Sequence, residues 1–99
     1  MRASGEQYEE RAAQLVTEAG LNIVGRNFNT KVGEIDIIAH DHSTLVFIEV
    51  RARNNSRFHG AAASVSLAKQ QRLIRTAQYY IKTHPRWRNS CCRFDVIAF

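Results

Sequence analysis

Hydrophobic and polar side chains alternate along two neighbouring stretches in the middle of the chain, residues 33–39 and 44–53. A period of two is typical of β-strands with one buried face, so we predict a strand in each stretch. The polar cluster at residues 40–43, His-Asp-His-Ser, predicts a hairpin turn between them. Two further strands are predicted, a short one at residues 22–27 and a last one at residues 93–99.

Two other stretches carry apolar residues at the spacing of an α-helix. Residues 5–20 predict the first helix, with Gly20 at its end. Ser66 is expected to cap a second helix that reaches about Thr83, before Pro85. The apolar stripe of this helix is predicted to contain Leu67, Leu73, Ile74, Ala77, Tyr80 and Ile81. The order helix, three strands, helix, strand predicts an α/β domain in which the second helix crosses over to a parallel last strand.

Two carboxylates interrupt the apolar stretches of the predicted hairpin. Asp36 lies among isoleucines in the first strand, and Glu49 lies between Ile48 and Val50 in the second. If position 40 pairs with position 45, these acids lie opposite each other, with Cβ atoms roughly 5 Å apart on one face. Carboxylates at that separation repel unless a cation lies between them, and Mg²⁺ prefers such hard oxygen ligands. The pattern therefore predicts a divalent-metal site.

The roles of three more residues near this pair stay open on sequence grounds. Glu9 lies at the edge of the first helix's apolar stripe, where it is either a third ligand or an ordinary helix-start glutamate. Glu34 would lie opposite Arg51, so we expect it to pair with that guanidinium; metal ligation is the alternative. Gln70 falls within the predicted stripe of the second helix, so its amide is expected to hydrogen-bond a backbone group or a site carboxylate.

The charge balance favours an anionic partner. The 99 residues include 14 Lys and Arg against 9 Asp and Glu, a net charge of +5, which favours a polyanion such as DNA. Residues expected to contact phosphates, with a solvated surface as the alternative for each, are Arg53, Arg57, Lys69, Arg72 and Arg75. No apolar run approaches the roughly 20 residues that span a bilayer, and no signal peptide is apparent. We therefore expect a cytoplasmic protein without a membrane partner.

The spacing of Asp36, twelve residues, then Glu49-Val50-Arg51 resembles the D…(D/E)xK signature of restriction-endonuclease-like nucleases. The predicted αβββαβ order is similar to the core of that superfamily, a mixed sheet flanked by helices. More closely, the segments GEIDIIA, LVFIEVRAR, FHGAAASV and RFDVIAF, together with the Lys69-Gln70 helix, resemble the YraN-like family of small uncharacterised bacterial proteins, which are related to Holliday-junction resolvases. The similarity covers nearly the whole chain, and we expect residues 1–99 to form a single endonuclease-like domain. Members usually continue past the last strand, which would make this chain a truncated one.

The resemblance implies metal ligation by Asp36, Glu49, the Val50 carbonyl and Glu9, with Mg²⁺ or Mn²⁺ as the cofactor. Arg51 departs from the pattern, because the superfamily usually has lysine there; arginine can neutralise phosphate charge but cannot act as a base. The resemblance thus implies a metal-dependent nuclease-like protein that binds DNA, with branched DNA as the first substrate to test. Whether it cleaves stays open, as does homodimer formation. The alternatives are a non-catalytic nucleic-acid-binding module and a basic scaffold for an acidic protein partner.

Overall fold

A four-stranded sheet lies at the centre of the molecule, and one helix packs on each of its faces. The computed structural model describes residues 3–52 and 65–99. In chain order its elements are α1 (Ala3–Glu18), β1 (Asn22–Asn29), β2 (Glu34–Asp41), β3 (Thr44–Arg51), α2 (Leu67–Thr83), a short 3-10 helix (Pro85–Trp87) and β4 (Cys91–Ala98). The predicted αβββαβ order is confirmed.

The strands follow one another across the sheet in the order β1-β2-β3-β4. The first three are antiparallel to their neighbours, whereas β4 runs parallel to β3. A parallel neighbour requires a crossover connection, and α2 lies in the segment that joins β3 to β4. The sheet is therefore mixed, as predicted.

Local sequence sets the ends of both helices. Gly20 has a φ of +94°, and its N–H donates to the Thr17 carbonyl at 3.0 Å. Glycine suits this helix-ending position because the left-handed region costs it little. Ser66 caps α2 as predicted, its hydroxyl oxygen accepting from the Lys69 amide at 3.1 Å. Neither helix in the described ranges is long and apolar enough to cross a membrane.

Two apolar clusters hold the three layers together. The cluster on the α1 side contains Ala12, Ala13, Val16, Ile37, Ala39, Val46 and Ile48. The cluster on the α2 side contains Ile35, Ile38, Leu45, Phe47, Val65, Leu73, Ala77, Tyr80 and Trp87. Both helices thus bury one face against β2 and β3, the two strands that carry the paired carboxylates.

The buried stripe of α2 differs in part from the predicted one. Its buried residues are Leu73, Thr76, Ala77 and Tyr80. Leu67 and Ile74 are 70% and 46% exposed, so their assignment to the core is wrong. At 3.6 residues per turn, each lies about 110–130° from the centre of the buried stripe. Thr76 can take a buried place because its hydroxyl donates to the Arg72 carbonyl at 2.8 Å.

The turn between β1 and β2 packs closely against α2 at Gly33. Thr30 holds this turn: its N–H donates to the Gly33 carbonyl at 2.8 Å, and its hydroxyl oxygen accepts from the Gly33 N–H at 3.2 Å. A Cβ atom at Gly33 would lie 3.0 Å from Thr76 Oγ1 and 3.6 Å from Arg72 Cβ. Glycine therefore permits α2 to approach the sheet edge next to Glu34.

Gly33→Ala is expected to lower the free energy of unfolding by about 1–3 kcal/mol, because the added methyl group overpacks the contact with α2. Gly25→Ala is the matched control, since its Cβ would meet Ile38 Cδ1 at an ordinary 3.8 Å. Urea unfolding of both variants measures the difference. Equal losses of stability would contradict the close packing at Gly33.

Candidate functional site

The ladder between β2 and β3 ends one residue short of the two carboxylates. Positions 40 and 45 pair, as predicted, and the recorded pairing extends to Ile37 and Ile48. Continuing this register by one residue brings Asp36 opposite Glu49. The premise of the predicted site, a hairpin in this register, is therefore confirmed.

Beyond the end of the ladder, the Asp36 side chain accepts a hydrogen bond from the backbone of β3. Its Oδ2 accepts a hydrogen bond from the Val50 N–H at 2.8 Å. This carboxylate is only 8% exposed. Asp36 thus lies between the two strands and ties the end of β3 to β2.

Side-chain alternation along β2 is interrupted at the same point. Ile35 packs in the α2-side cluster and Ile37 in the α1-side cluster, although residues two apart normally share a face. In the neighbouring strand, Asn27 lies beside this part of β2 and has a φ of +54°. The strict alternation predicted for residues 33–39 is wrong here, and the change of face lies beside the left-handed Asn27 of β1.

The electrostatic environment of Asp36 disfavours its charged form. Its pKa is raised from 3.8 to about 6: burial is the largest cause, the Val50 hydrogen bond opposes the rise, and repulsion from Glu49, Glu9 and Glu34 contributes to it. Three neighbouring carboxylates therefore act on Asp36 at this end of the sheet.

Glu49, in contrast, is already neutralised by cations. Lys69 Nζ lies 3.0 Å from its Oε2, and Arg51 Nη1 lies 3.7 Å from the same oxygen. The Glu49 side chain is 6% exposed, whereas those of Lys69 and Arg51 are about one-third exposed. Both of these cations thus contact Glu49.

Lys69 was assigned from the sequence to a DNA-contacting helix face, and its contact with Glu49 was not foreseen. The helical spacing carries a signal for it: Lys69 precedes Leu73 by four residues and lies about 30° from the centre of the buried stripe. The cap supplied by Ser66 fixes its backbone in the first turn of α2. A lysine in line with core residues is better explained by a buried partner than by solvent.

Glu9 reaches this region through the packing of α1 on the end of β4. Tyr8 stacks on Phe99 with ring centroids 5.3 Å apart and planes 13° apart. The Phe99 N–H donates to the Arg51 carbonyl at 2.9 Å, so this stack lies at the end of β3 that carries the site. Glu9 is half-buried beside it, and its effect on the pKa of Asp36 places the two carboxylates within electrostatic range.

Two clefts lie along α2 near the site. A small one, about 120 Å³, is lined by Gly33, Glu34, Lys69, Arg72 and Leu73. A larger, mainly apolar one of about 250 Å³ runs between α2 and β4, and its polar lining includes Glu49, Gln70 and Asp95. Glu49 thus lines the larger cleft, whereas its ion-pair partner Lys69 lines the smaller one.

The structure bears on the predictions for Glu34 and Gln70 to different extents. Glu34 is exposed and raises the pKa of Asp36, and its pairing with Arg51 stays a prediction. The amide of Gln70 donates to the Val65 carbonyl at 2.9 Å, which is the expected backbone bond. Gln70 itself is exposed, so the prediction that it is buried is wrong; it lies at the margin of the stripe, about 70° from its centre.

Asp36 and Glu49 are suited to supply two ligands to a divalent cation, but not its full coordination shell. Within residues 3–52 and 65–99, no three His, Cys, Asp or Glu side chains are grouped closely enough to hold a metal ion by themselves. Mg²⁺ usually takes one or two carboxylates, and water or substrate phosphate completes its octahedron. Asp36 and Glu49 supply hard oxygen donors for such binding. The charged form of Asp36 is disfavoured by the neighbouring carboxylates, so a cation beside it would be favourable.

The remaining predicted contacts lie away from the carboxylate pair or outside the described residues. Arg75 is exposed on α2, and Arg72 lines the smaller cleft beside Lys69. Arg53 and Arg57 lie outside the described ranges, so their predicted contacts with phosphate stay predictions.

Comparison with known proteins agrees with the resemblance to a family of uncharacterised bacterial proteins. A family model described as "Uncharacterised protein family UPF0102" matches residues 8–99. A UPF0102 protein of Alcanivorax borkumensis is 49% identical over 96% of this chain and 76% of its own length. One from Stutzerimonas stutzeri is 41% identical over 98% and 81%, and one from Ralstonia nicotianae is 49% identical over 97% and 76%.

Asp36→Asn is expected to stabilise the metal-free protein above about pH 6. Between pH 3.8 and about 6 the folded protein holds the Asp36 proton and the unfolded chain does not, so wild-type stability falls as the pH rises through this window. The amide keeps an acceptor for the Val50 N–H but carries no charge. The gain is expected to be at most about 3 kcal/mol and to vanish in acid.

Chemical unfolding with a chelator present, repeated across that pH range, measures the effect. Asp41→Asn is the matched control, because it makes the same change at the opposite end of β2. A stability difference between Asp36→Asn and wild type that does not change with pH would contradict the environment described for Asp36.

Proposed function

This chain belongs to the uncharacterised protein family UPF0102, and we propose that it is a divalent-metal-dependent nuclease-like protein that binds DNA and cleaves its phosphodiester bonds. The observation that carries the proposal is the buried Asp36 beside Glu49 at the end of the β2–β3 ladder, with a pKa raised to about 6. Burying two like charges destabilises a small domain unless a cation or a reaction uses them. A Mg²⁺ or Mn²⁺ ion is the partner that these oxygens favour.

Each residue of the site has a distinct part in this proposal. Asp36 and Glu49 hold the cation, assisted by the Val50 carbonyl and, from α1, by Glu9. Mg²⁺ supplies, when bound, activation of a water molecule and neutralisation of phosphate charge. Arg51 and Lys69 stabilise the negative charge that develops on the phosphate oxygens as the bond breaks.

Lys69 is relevant because position 51 holds arginine, where the superfamily usually has lysine. Arginine presents a broad, permanently charged fork, whereas lysine is a compact point charge. Lys69 brings an ammonium from α2 to within 3.0 Å of Glu49. The site thus contains, on α2, the ammonium group that this chain lacks at position 51 of β3.

The basic character of the chain supports DNA as the substrate. The net charge is +5, and Arg72 lines the cleft next to Lys69, while Arg75 is exposed on the same helix. Phosphates held there would lie close to the carboxylate pair. Four-way and flapped DNA are the first substrates to test, by analogy with the related resolvases.

One observation favours a non-catalytic nucleic-acid-binding module instead. Glu49 is already paired with Lys69 and Arg51, so its negative charge is compensated without a metal. A protein that had lost its cleavage activity would be stabilised by such pairs. It would still bind DNA through its basic residues.

A cleavage assay distinguishes the two. Four-way, flapped, single-stranded and linear DNA are incubated with Mg²⁺ or Mn²⁺ and the wild type, Asp36→Asn, Glu49→Gln or Asp41→Asn. We expect the wild type and Asp41→Asn to cleave at least one substrate, and both site variants to lose about 100-fold or more of the rate, since each removes a metal ligand. Binding by the wild type without cleavage of any substrate would support the non-catalytic module.

DNA affinity is expected to depend steeply on salt, because each phosphate contact releases counterions with a log–log slope of about −0.9. Replacing both Arg72 and Arg75 by glutamine should reduce the slope by roughly one to two contacts. The matched control removes the same charge elsewhere, as Arg11→Gln with Arg88→Gln, and should leave the slope nearly unchanged. Metal-free fluorescence anisotropy at several salt concentrations measures it. Equal slopes for the two double variants would exclude this face of α2 as the DNA contact.

A further inference from the structure

The contact between Lys69 and Glu49 is the tightest ion pair of the described residues. Its Nζ–Oε2 distance is 3.0 Å, against 3.2 Å or more for every other recorded pair. The carboxylate is nearly excluded from solvent, at 6% exposure. An ion pair with a buried carboxylate is screened by solvent less than a surface ion pair, which contributes little.

The ammonium of Lys69 is brought to this place by the fold. Ser66 fixes its backbone N–H, and the helical position of Lys69 continues the buried stripe toward the sheet. Glu49 lies at the matching height, because β3 faces α2 through Phe47 in the α2-side cluster. The packing of α2 on the sheet therefore brings Lys69 to Glu49.

This positive charge acts on one carboxylate of the pair and leaves the other uncompensated. Asp36 has a pKa raised by burial and by three acids, and no cation is among the causes of its shift. A divalent ion between Asp36 and Glu49 would neutralise both, which an ammonium directed at Glu49 Oε2 does not achieve. Glu49 thus already has a cationic partner, whereas the negative charge of Asp36 is not compensated.

We infer that Lys69 is a cationic placeholder: its ammonium occupies Glu49 in the metal-free protein, and a divalent ion must displace it in order to bind. The inference rests on the proposed metal site. Lys69 also lines the cleft of about 120 Å³ that contains Arg72, so a displaced ammonium has an adjacent open space. A phosphate in that cleft would then meet two cations from the same helix.

The placeholder has two consequences for the protein. It keeps a buried carboxylate paired when metal is absent, which stabilises the contact between α2 and β3. It also weakens metal binding, because displacement of Lys69 opposes the gain from the new ligand. Removing the ammonium should therefore tighten metal binding even though it destabilises the metal-free fold.

Isothermal titration of Mn²⁺ into the whole protein tests this, with Lys69→Met compared with Lys82→Met. The second variant removes one positive charge from the same helix at an exposed position. We expect Lys69→Met to bind Mn²⁺ at least about tenfold more tightly than wild type, because the competing ion pair with Glu49 is gone, and Lys82→Met to bind like wild type. Lys69→Arg, which keeps the charge, should also bind like wild type.

Equal affinities for Lys69→Met and wild type, with Asp36→Asn binding no Mn²⁺, would overturn the placeholder and leave the metal site standing. No Mn²⁺ binding by wild type and Lys69→Met alike would overturn both. Binding by Lys69→Met alone would support the placeholder.

A second measurement on the unmodified protein does not depend on the folding of any variant. Mg²⁺ is added while the ¹³Cε resonances of the lysines are followed by NMR. The Lys69 signal is expected to move toward that of exposed Lys82 as the ion displaces its ammonium. A Lys69 signal that stays fixed while the Asp36 and Glu49 carboxyl signals respond would contradict displacement.

Discussion

The hydrogen bond from the Val50 N–H to Asp36 is the interaction on which the organisation of the site depends. It places a carboxylate where β2 and β3 would otherwise continue their ladder, and it joins the strands without a backbone pair at that point. The position is buried, so the carboxylate cannot be solvated in the ordinary way and its pKa rises. The neighbouring elements either tolerate this charge or compensate for it.

The two helices contribute opposite charges to this end of the sheet. α1, anchored by Tyr8 on Phe99, brings the carboxylate of Glu9 toward Asp36. α2, brought close to the β1–β2 turn by the absence of a side chain at Gly33, carries Lys69 to Glu49. The stability of the site is therefore a balance in which burial and like charge are opposed by one backbone hydrogen bond and two cations. A divalent ion between the carboxylates would shift that balance further toward the folded state.

Much of this arrangement is predictable from the sequence because it follows from local rules. The hairpin register follows from a short polar turn and alternating strands, and it was enough to predict that Asp36 and Glu49 are neighbours. The ends of α2 follow from Ser66 and Pro85. The family relationship, carried by motifs spread along the chain, is confirmed by the match over residues 8–99.

What the sequence did not reveal depends on tertiary geometry. Alternation predicts the faces of a strand only while the ladder is regular, and the change of face between Ile35 and Ile37 accompanies a left-handed Asn27 in the next strand. Leu67 looked like a core residue by type, but its angle on α2 turns it to solvent. Lys69 looked like a surface residue by type, whereas the same helical geometry directs it to Glu49. In both cases the angular position around α2 determined whether the side chain faced solvent or the sheet, and the residue type alone gave the wrong prediction.

Anomalous diffraction from crystals of the whole protein grown with Mn²⁺ would show directly whether Asp36 and Glu49 bind a divalent cation. We expect one strong peak between the two carboxylates, with metal–oxygen distances of roughly 2 Å and Lys69 Nζ withdrawn from Glu49 Oε2. Crystals saturated with Mn²⁺ that show no peak there, with Lys69 still bound to Glu49, would contradict the proposed site.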